Sequence, residues 1–407
     1  MHILYWGNGN PFSRVGTRTR HDHILAALRK RPDVERIHYV DTSACLRFNL
    51  CLVRAGSQSI EGQGPDGRVL APVEIYSLHN RIPFTNRFRV CKRFALRVMA
   101  WQVGRSIKRR NVKGAPLIWW ICNARFWPVL EYAAKRAHRD KTGILDCVDH
   151  MAQLWKDRAA NAEDRHRKKW YGWVAREYEI GYERSAIWAA RIAVNSAAKL
   201  QIYLNLGATV ELVPSGVDVD RFEPVVKGEI EEHPSLMQIP KPRVGYIGPL
   251  YQMVDTELLR RAASALGNVS FIVVGDVERQ ERALLQDLPN MHLLGPQEWE
   301  SIPAFFAGMD VVLSIYRREV SAALGQSLKV IEGLAAGRSV VAVNAPLALE
   351  NLASVIRLAR SGDEFIAQLK AALDAPPATL ELRVRRTDVV RFRSWDAVAE
   401  EILSPSA

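Results

Sequence analysis

The second half of the chain alternates short apolar runs with amphipathic stretches, and this alternation restricts the fold more than any other feature of the sequence. The apolar runs predict strands at residues 243–247, 269–274, 291–294, 311–315 and 339–343. Helices are predicted near residues 255–266, 278–287, 298–307, 326–336 and 363–373. Strands that alternate with helices in this way favour a parallel sheet covered by helices on both faces. We therefore predict an α/β, doubly wound domain in this half.

The first half shows the same alternation less regularly. A strand at 2–6, a loop at 7–16, a helix at 17–30 and a strand at 36–40 predict one β-α-β unit. Further strands are predicted at 69–76, 116–121, 143–148, 191–195 and 209–213, and residues 155–189 are predicted to be helical.

The length of the chain predicts more than one domain. It has 407 residues, whereas a single hydrophobic core rarely grows beyond about 300. The polar, proline-containing stretch 223–242 has the composition of a linker. We therefore predict an N-terminal domain over residues 1–222 and a C-terminal domain that begins at residue 243.

Charge is distributed unevenly along the chain. Residues 1–220 hold 36 Lys and Arg against 20 Asp and Glu, whereas the remainder holds 20 against 24. The window Arg81–Arg110 has ten basic and no acidic residues, with apolar residues at helical spacing. This pattern is typical of a basic amphipathic helix on an anionic membrane, and equally of a core-facing helix with a solvated basic face. Without an RNA- or DNA-binding signature, no nucleic-acid partner is predicted.

The cysteines and the apolar content favour a cytoplasmic protein. Five cysteines include no C-x-x-C pair, so we expect neither a zinc cluster nor a disulfide framework. The N-terminus lacks the features of a signal peptide, and no run of 18 apolar residues occurs. The histidines show no metal-binding spacing, so no metal site is predicted. A peripheral position on the inner face of the cell membrane remains a further expectation, from the basic first half.

Two segments of the first half could contribute to a site. The loop 7–16 could bring backbone N–H groups near a ligand at a helix N-terminus, but Phe12 interrupts the glycine pattern of a dinucleotide-binding loop. A tight turn explains the same glycines. Asp149 and His150 follow an apolar strand, where ligands of parallel sheets bind, and could act as acid or base. A helix cap at Asp149 and a surface position for His150 are the alternatives.

In the second half, Lys329 and Glu332 are three residues apart and share one face near a predicted helix N-terminus. A lysine there could neutralise a phosphate, and a carboxylate could accept both hydrogens of a ribose diol. A surface ion pair accounts for this spacing equally well.

Several segments together resemble the motifs of family 4-like glycosyltransferases, in the same order and with the same spacing. They are V-P-S-G-V-D at 213–218, V-G-Y-I-G at 244–248, L-P-N-M-H-L-L-G at 288–295, the stretch 329–341 and R-S-W at 393–395. The segment D-C-V-D-H at 146–150 resembles the branch that includes teichuronic-acid and exopolysaccharide transferases.

This resemblance implies the GT-B architecture, in which two Rossmann-like, doubly wound parallel-sheet domains face a central cleft. The C-terminal domain would span 243–390, and a helix over 391–407 would return to the N-terminal domain. No cofactor is implied beyond a nucleotide-diphosphate sugar as co-substrate, and no divalent metal. The acceptor would be a glycan or a lipid-linked intermediate of cell-surface polysaccharide synthesis.

The resemblance also implies roles for particular residues. Asp149, with His150 as a substitute, would activate the acceptor hydroxyl, and Gly16 and Thr17 would lie on the acceptor side. Glu332 would hold the ribose, while Lys329 and the N-terminus of its helix would face the diphosphate. The donor-binding set implied is Gly248, Pro296, Gln297, Arg317, Ser327, Leu328, Lys329 and Glu332.

The chain departs from the family pattern at two places. Pro249, Leu250 and Tyr251 stand where the family has a basic pair, and Leu324 stands where it has the first of two glutamates. Arg317 or Arg318 could compensate for the missing basic pair. A nucleotide-sugar epimerase of the same fold, and a binding protein that has kept the fold without catalysis, are therefore alternatives.

Overall fold

The computed structural model describes residues 1–7, 18–41, 53–64, 67–78, 89–109, 116–148, 151–318, 327–344 and 352–404. The chain forms two compact units. Unit 1 comprises Met1–Phe12, Arg20–Val213 and Ala399–Ala407, and unit 2 comprises Ser13–Thr19 and Pro214–Val398.

Unit 1 contains a largely parallel sheet with helices between its strands. Its described strands are β1 (His2–Gly7), β2 (Arg36–Asp41), β3 (Val53–Ile60), β4 (Val73–Leu78), β5 (Leu117–Ile121), β6 (Ile144–Cys147), β7 (Arg191–Val194) and β8 (Val210–Leu212). Its described helices are α1 (Arg20–Lys30), α2 (Arg89–Arg109), α3 (Trp127–Arg136), α4 (Met151–Ala160), α5 (Arg165–Trp188) and α6 (Ala197–Asn205). The strand order is β3-β4-β2-β1-β5-β6-β7-β8, and β3 pairs with β4 in the antiparallel direction.

Unit 2 contains a second sheet, whose described strands are all parallel. They are β9 (Arg243–Ile247), β10 (Ser270–Val274), β11 (Met291–Gly295), β12 (Val311–Ile315), β13 (Ser339–Val343) and β14 (Arg357–Ala359), in the order β11-β10-β9-β12-β13-β14. The described helices that begin in this unit are α7 (Val219–Lys227), α8 (Thr256–Ala265), α9 (Arg279–Leu285), α10 (Ile302–Ala307), α11 (Leu328–Ala335), α12 (Gly362–Leu373), α13 (Leu380–Arg391) and α14 (Trp395–Leu403).

The sheet of unit 2 is buried on both faces. Successive side chains of a strand point to opposite faces, and Tyr246 and Ile247 of β9 accordingly belong to different apolar clusters. Ile247 packs with residues of α10 and α11, whereas Tyr246 packs with residues of α8 and α12. The prediction of two doubly wound, Rossmann-like domains is therefore confirmed.

The stretch 223–242, predicted as a linker, lies within unit 2. Its first residues continue α7, and Val225, Leu236 and Ile239 are buried in the core of this unit. The guanidinium of Arg243 fastens the stretch, because its nitrogens donate to the carbonyls of Leu236 and Ile239 at 2.6 and 2.8 Å. The units divide between Val213 and Pro214 rather than after residue 222.

The predicted elements and the structure differ at a few other places. The helical stretch 155–189 is two helices, α4 and α5, and the side chain of Asp164 caps the second by accepting from the Arg167 N–H. The structure adds β3, β14 and α13, which were not predicted. β3 and β14 are edge strands, and α13 is rich in charged residues, so none has a clear apolar periodicity.

Among the described residues, no helix is long and apolar enough to cross a membrane.

Candidate functional site

Two glycine turns meet at the carboxyl edge of the unit 2 sheet. Gly248 follows β9 and Gly275 follows β10, with φ angles of +140° and +151°. A Cβ atom on Gly275 would lie only 2.2 Å from the carbonyl oxygen of Gly248, so the two backbones touch. The Gly248 N–H donates to the Val274 carbonyl at 2.8 Å and fixes this contact. Gly275 is therefore required by the close packing of the two turns, since any side chain there would collide with the Gly248 backbone.

Lys329 lies directly beside this backbone. A Cβ atom on Gly248 would be 3.7 Å from the Lys329 ammonium, which donates to the Tyr316 hydroxyl at 3.0 Å. The ammonium is also 4.9 and 5.0 Å from the ring centroids of Tyr246 and Tyr316. Burial alone would lower the pKa of Lys329, but the interactions with both tyrosines raise it above the usual value. Lys329 is therefore a fixed positive charge at neutral pH.

The N-terminus of α11 adds to this positive potential. Ser327 precedes the helix and is buried, and its hydroxyl lies 3.4 Å from the Tyr316 hydroxyl instead of capping the helix. Leu328 and Lys329 are the first helical residues, whose N–H groups have no partner within a helix. The positive end of the helix and the Lys329 ammonium thus lie at the same edge, an arrangement that favours an anion.

Glu332 lies one turn further along α11, and its environment holds it close to neutrality. Burial raises the pKa of Glu332 to about 7, although Arg221 and Lys329 act in the opposite direction. The Lys329 ammonium donates to the Tyr316 hydroxyl. The surface ion pair between Lys329 and Glu332, which their spacing also allowed, is not what the structure shows. The oxygens of such a carboxyl group can accept hydrogen bonds from a diol, because a salt bridge to another described residue does not occupy them.

Arg221 is a site residue that sequence reasoning missed. It lies in α7, and burial lowers its pKa to about 10, while Glu332 and Asp218 raise it. Its guanidinium carbon is 3.5 Å from the ring centroid of Trp299, whose carbonyl accepts a hydrogen bond from it. Arg221 directly follows Asp218-Val219-Asp220, so its position beside the V-P-S-G-V-D segment was the signal available in the sequence.

Trp299 is a second residue that was not predicted. Besides Arg221, the guanidinium carbon of Arg18 lies 3.8 Å from its ring centroid, and Arg18 pairs with Glu300 at 3.8 Å. Arg18 belongs to the segment Ser13–Thr19, which groups with unit 2. Two guanidinium groups stacked on one indole produce a further concentration of positive charge in this unit.

The other predicted donor residues lie in loops of the same sheet edge. Gly295 ends β11 with φ +73°, and its carbonyl accepts from the Gly275 N–H at 2.9 Å. Gln297 uses its side-chain N–H₂ to close this turn, donating to the Leu294 carbonyl at 2.9 Å, and Pro296 is exposed. Their contact with a nucleotide base stays a prediction.

Arg317 fixes the loop that replaces the family's basic pair. Its backbone N–H donates to the Met253 carbonyl at 3.0 Å, and its Nε donates to the Gln252 carbonyl at 2.9 Å. The side chain therefore has a structural contact already, and compensation for the missing basic pair remains a prediction.

The structure thus brings together Gly248, Ser327, Leu328, Lys329 and Glu332, with Pro296, Gln297 and Arg317 in neighbouring loops. Gly16, Thr17, Asp149 and His150 lie outside the described residues, so their predicted roles are untested. Asp146, in the same motif as Asp149, is fully buried in β6 and pairs with Arg20 at 3.1 Å. Across the described ranges, no group of three or more His, Cys, Asp and Glu side chains could hold a metal ion.

Known sequences that resemble this chain are described as glycosyltransferases. The model of the family Glycosyl transferases group 1 matches residues 241–374. TuaH of Bacillus subtilis (strain 168), whose name describes a glycosyltransferase of teichuronic acid biosynthesis, is 26% identical over 169 residues. That match covers 39% of this chain and 42% of TuaH, so the chain spans about two fifths of this relative. The resemblance found in the sequence motifs is confirmed.

Solved structures share the whole fold. OtsA in its apo form matches with a TM-score of 0.66 and 13% identity, over 100% of both chains. Sucrose-phosphate synthase from Thermosynechococcus elongatus matches with 0.65 and 14%, over 98% of this chain and 97% of the other. HepE from Anabaena, solved with UDP and glucose, matches with 0.64 and 14%, over the same shares. The chain has the GT-B fold.

Proposed function

We propose that this chain is a glycosyltransferase that takes a sugar from a nucleotide-diphosphate donor bound by unit 2. The observation that carries this proposal is the position of Lys329, whose ammonium is held by two tyrosines beside the Gly248 backbone and the N-terminus of α11. The match of residues 241–374 to the group 1 family, and a GT-B relative solved with UDP and glucose, support the same function.

The chemistry of sugar transfer explains why such a site is needed. The bond between the anomeric carbon and the diphosphate oxygen breaks, and the electron pair leaves with the diphosphate. Lys329 and the helix N-terminus would stabilise this developing negative charge. Glu332 would accept the hydrogens of the ribose diol. We propose that no divalent metal takes part.

The acceptor half of the reaction is proposed for the first half of the chain. The acceptor oxygen forms a bond to the anomeric carbon and loses its proton to a base, a role that the resemblance assigns to Asp149 or His150. Gly16 and Thr17 would line the acceptor. Removal of such a base typically lowers the rate by about 10²–10⁴-fold.

We further propose that the acceptor is a lipid-linked or polysaccharide intermediate of cell-surface glycan synthesis, handled in the cytoplasm at the inner face of the membrane. The basic first half and the name of TuaH support this proposal. Helix α2 has the basic and apolar surface that binding to an anionic membrane requires. Phe94 and Trp101 are 60% and 44% exposed on this basic helix. Part of its charge is structural, since Arg93 pairs with buried Glu131 at 2.6 Å.

Transfer from labelled nucleotide sugars to extracted glycan and lipid acceptors tests the function. Lys329→Ala should lower the transfer rate by at least about 100-fold, the usual cost of losing one charge-stabilising donor. Arg385→Ala, an exposed residue of α13, is the matched control and should keep the rate. Equal rates in wild type and Lys329→Ala would contradict the assignment of the donor site.

Two alternatives have distinct outcomes in the same assay. A nucleotide-sugar epimerase would convert the donor without any acceptor present. A non-catalytic binding protein would bind the nucleotide and release no product with any acceptor.

A further inference from the structure

A buried polar cluster lies in unit 1, apart from the residues assigned to the donor. Arg20 is the first residue of α1, and Asp146 lies in β6, with side chains that are 2% and 0% exposed. The Arg20 Nε donates to Oδ1 of Asp146 at 3.1 Å. The Nδ1 of His21 is 3.4 Å from Oδ2, within ion-pair range but without hydrogen-bond geometry. One carboxylate thus faces two basic side chains.

The terminal nitrogens of Arg20 have no acceptor among the described residues. Both Nη1 and Nη2 are buried and make no hydrogen bond to these residues, and the same is true of the His21 Nδ1. Leaving a buried donor unpaired is unfavourable, and more so for a charged group. Because Asp146 holds Nε, the free end of the guanidinium presents two parallel N–H donors, the fork that matches a carboxylate or a phosphate.

The N-terminus of α1 adds to the positive potential at this cluster. Tyr5 donates to the His21 carbonyl at 3.1 Å, which fixes the start of α1. Burial lowers the pKa of His21, whereas its interactions with Cys122 and Asp146 raise that pKa above its usual value. Arg20 and His21 both lie in the first turn of a helix of 11 residues, whose positive end favours an anion.

We infer that Arg20 and His21 form an oxyanion subsite in unit 1, which binds a phosphate or carboxylate group of the acceptor. The oxyanion would accept from Nη1 and Nη2 of Arg20, and Asp146 is a positioning residue that aims the guanidinium. Only the assignment of the anion to the acceptor rests on the proposed function. Binding of the anion itself rests on the geometry of unit 1.

Calorimetric titration with inorganic phosphate at constant ionic strength tests the inference. Lys329→Ala is used as the background, so that the donor site does not add its own phosphate binding. In this background, adding Arg20→Lys should weaken phosphate binding at least tenfold, because lysine keeps the charge and loses the fork. Adding Arg29→Lys should leave it unchanged. Arg29 is the matched control, a largely buried arginine of the same helix that donates to the Ala71 and Ile60 carbonyls.

His21→Gln provides a milder second variant, because this side chain is 21% exposed. It should weaken phosphate binding several-fold. Absence of phosphate binding in the Lys329→Ala background, or equal binding after Arg20→Lys, would overturn the inference. Phosphate binding that disappears with Lys329→Ala alone would also overturn it, because the donor site would then be the phosphate site.

Competition in the Lys329→Ala background tests whether the subsite selects an oxyanion. Glucose 6-phosphate, glucuronate and glucose differ in one group, and either anionic sugar should displace phosphate, whereas glucose should not. Displacement by glucose as effectively as by the anions would contradict an oxyanion subsite. If no nucleotide binds to wild-type protein while phosphate binding persists, the proposed function fails and the subsite stands. If a nucleotide binds and phosphate binding is absent, the subsite fails and the proposed function stands.

Discussion

At the scale of single residues, the environment of each group decides its chemistry more than its type does. Lys329 and Glu332 are neighbours on one helix face, yet the tyrosines keep the lysine charged while burial pushes the glutamate towards its neutral form. The spacing of the two residues could be read from the sequence. Their electrostatic states could not, because Tyr246, Tyr316 and Arg221 come from other elements.

The pKa of Glu332 predicts a specific dependence of stability on pH. The folded state holds this proton up to about pH 7, whereas the unfolded chain loses it near 4.5, so stability falls as pH rises through that window. Glu332→Gln removes this dependence, so the stability of the variant relative to wild type should rise by about 3 kcal/mol between pH 4.5 and 7. Urea unfolding at a series of pH values measures this. Parallel pH curves for the two proteins would show that Glu332 titrates normally.

The residues that the sequence did not predict were missed for one physical reason. Arg221 and Trp299 are distant in sequence from Lys329, and only the packing of α7 brings Arg221 to the Trp299 ring. Likewise, Arg20 and Asp146 are 126 positions apart and meet because β6 and the start of α1 share one sheet edge. The sequence motifs indicated which segments contribute to a site. Which residues of different segments contact each other could be read only from the three-dimensional structure.

At the scale of elements, the junction of two glycine turns positions the donor edge. Gly275→Ala should therefore destabilise the protein by about 2 kcal/mol or more and weaken nucleotide binding, because the new Cβ would collide with the Gly248 carbonyl. Gly267→Ala is the matched control, since no atom lies within 4 Å of its Cβ position. Thermal unfolding with and without nucleotide measures both effects. An unperturbed Gly275→Ala protein would show that the close contact is unimportant.

Prediction of elements succeeded where apolar periodicity was strong. The strands β9 and β12 have the predicted bounds, because their five residues are all buried and apolar side chains dominate them. Helix α13 was not predicted, because few of its residues are buried and its sequence shows no apolar periodicity. It is held instead by polar contacts to the end of α11, such as that from Arg386 to the Gly337 carbonyl at 3.0 Å and that from Thr387 to the Ala335 carbonyl at 3.1 Å.

At the scale of the whole molecule, charge distinguishes the two halves of the chain. The first 220 residues hold an excess of 16 basic residues, and the remainder an excess of four acidic ones. Each basic residue near an anionic membrane contributes about 1 kcal/mol of attraction, screened within a Debye length. An association of the first half with anionic lipid would therefore depend strongly on salt.

Vesicle co-sedimentation tests this membrane prediction. Changing Phe94 and Trp101 together to Ser should lower binding to phosphatidylglycerol vesicles by roughly tenfold, because both apolar side chains are exposed on α2. Phe392→Ser is the control, since Phe392 is 71% exposed in unit 2. Binding that is equal on neutral phosphatidylcholine vesicles, or insensitive to salt, would contradict an electrostatic membrane contact.

Unit 2 is proposed to bind the nucleotide of a sugar donor through Lys329 and Glu332. The most direct test is thermal unfolding against a panel of nucleoside diphosphates and their sugars, on wild type, Lys329→Ala, Glu332→Ala and the Arg385→Ala control. A ligand at about 100 times its Kd should stabilise wild type by about 2.7 kcal/mol. We predict this shift for one nucleoside diphosphate and its sugars, with loss in both site variants and retention in the control. No shift with any nucleotide, or equal shifts in all four proteins, would contradict nucleotide binding by these two residues.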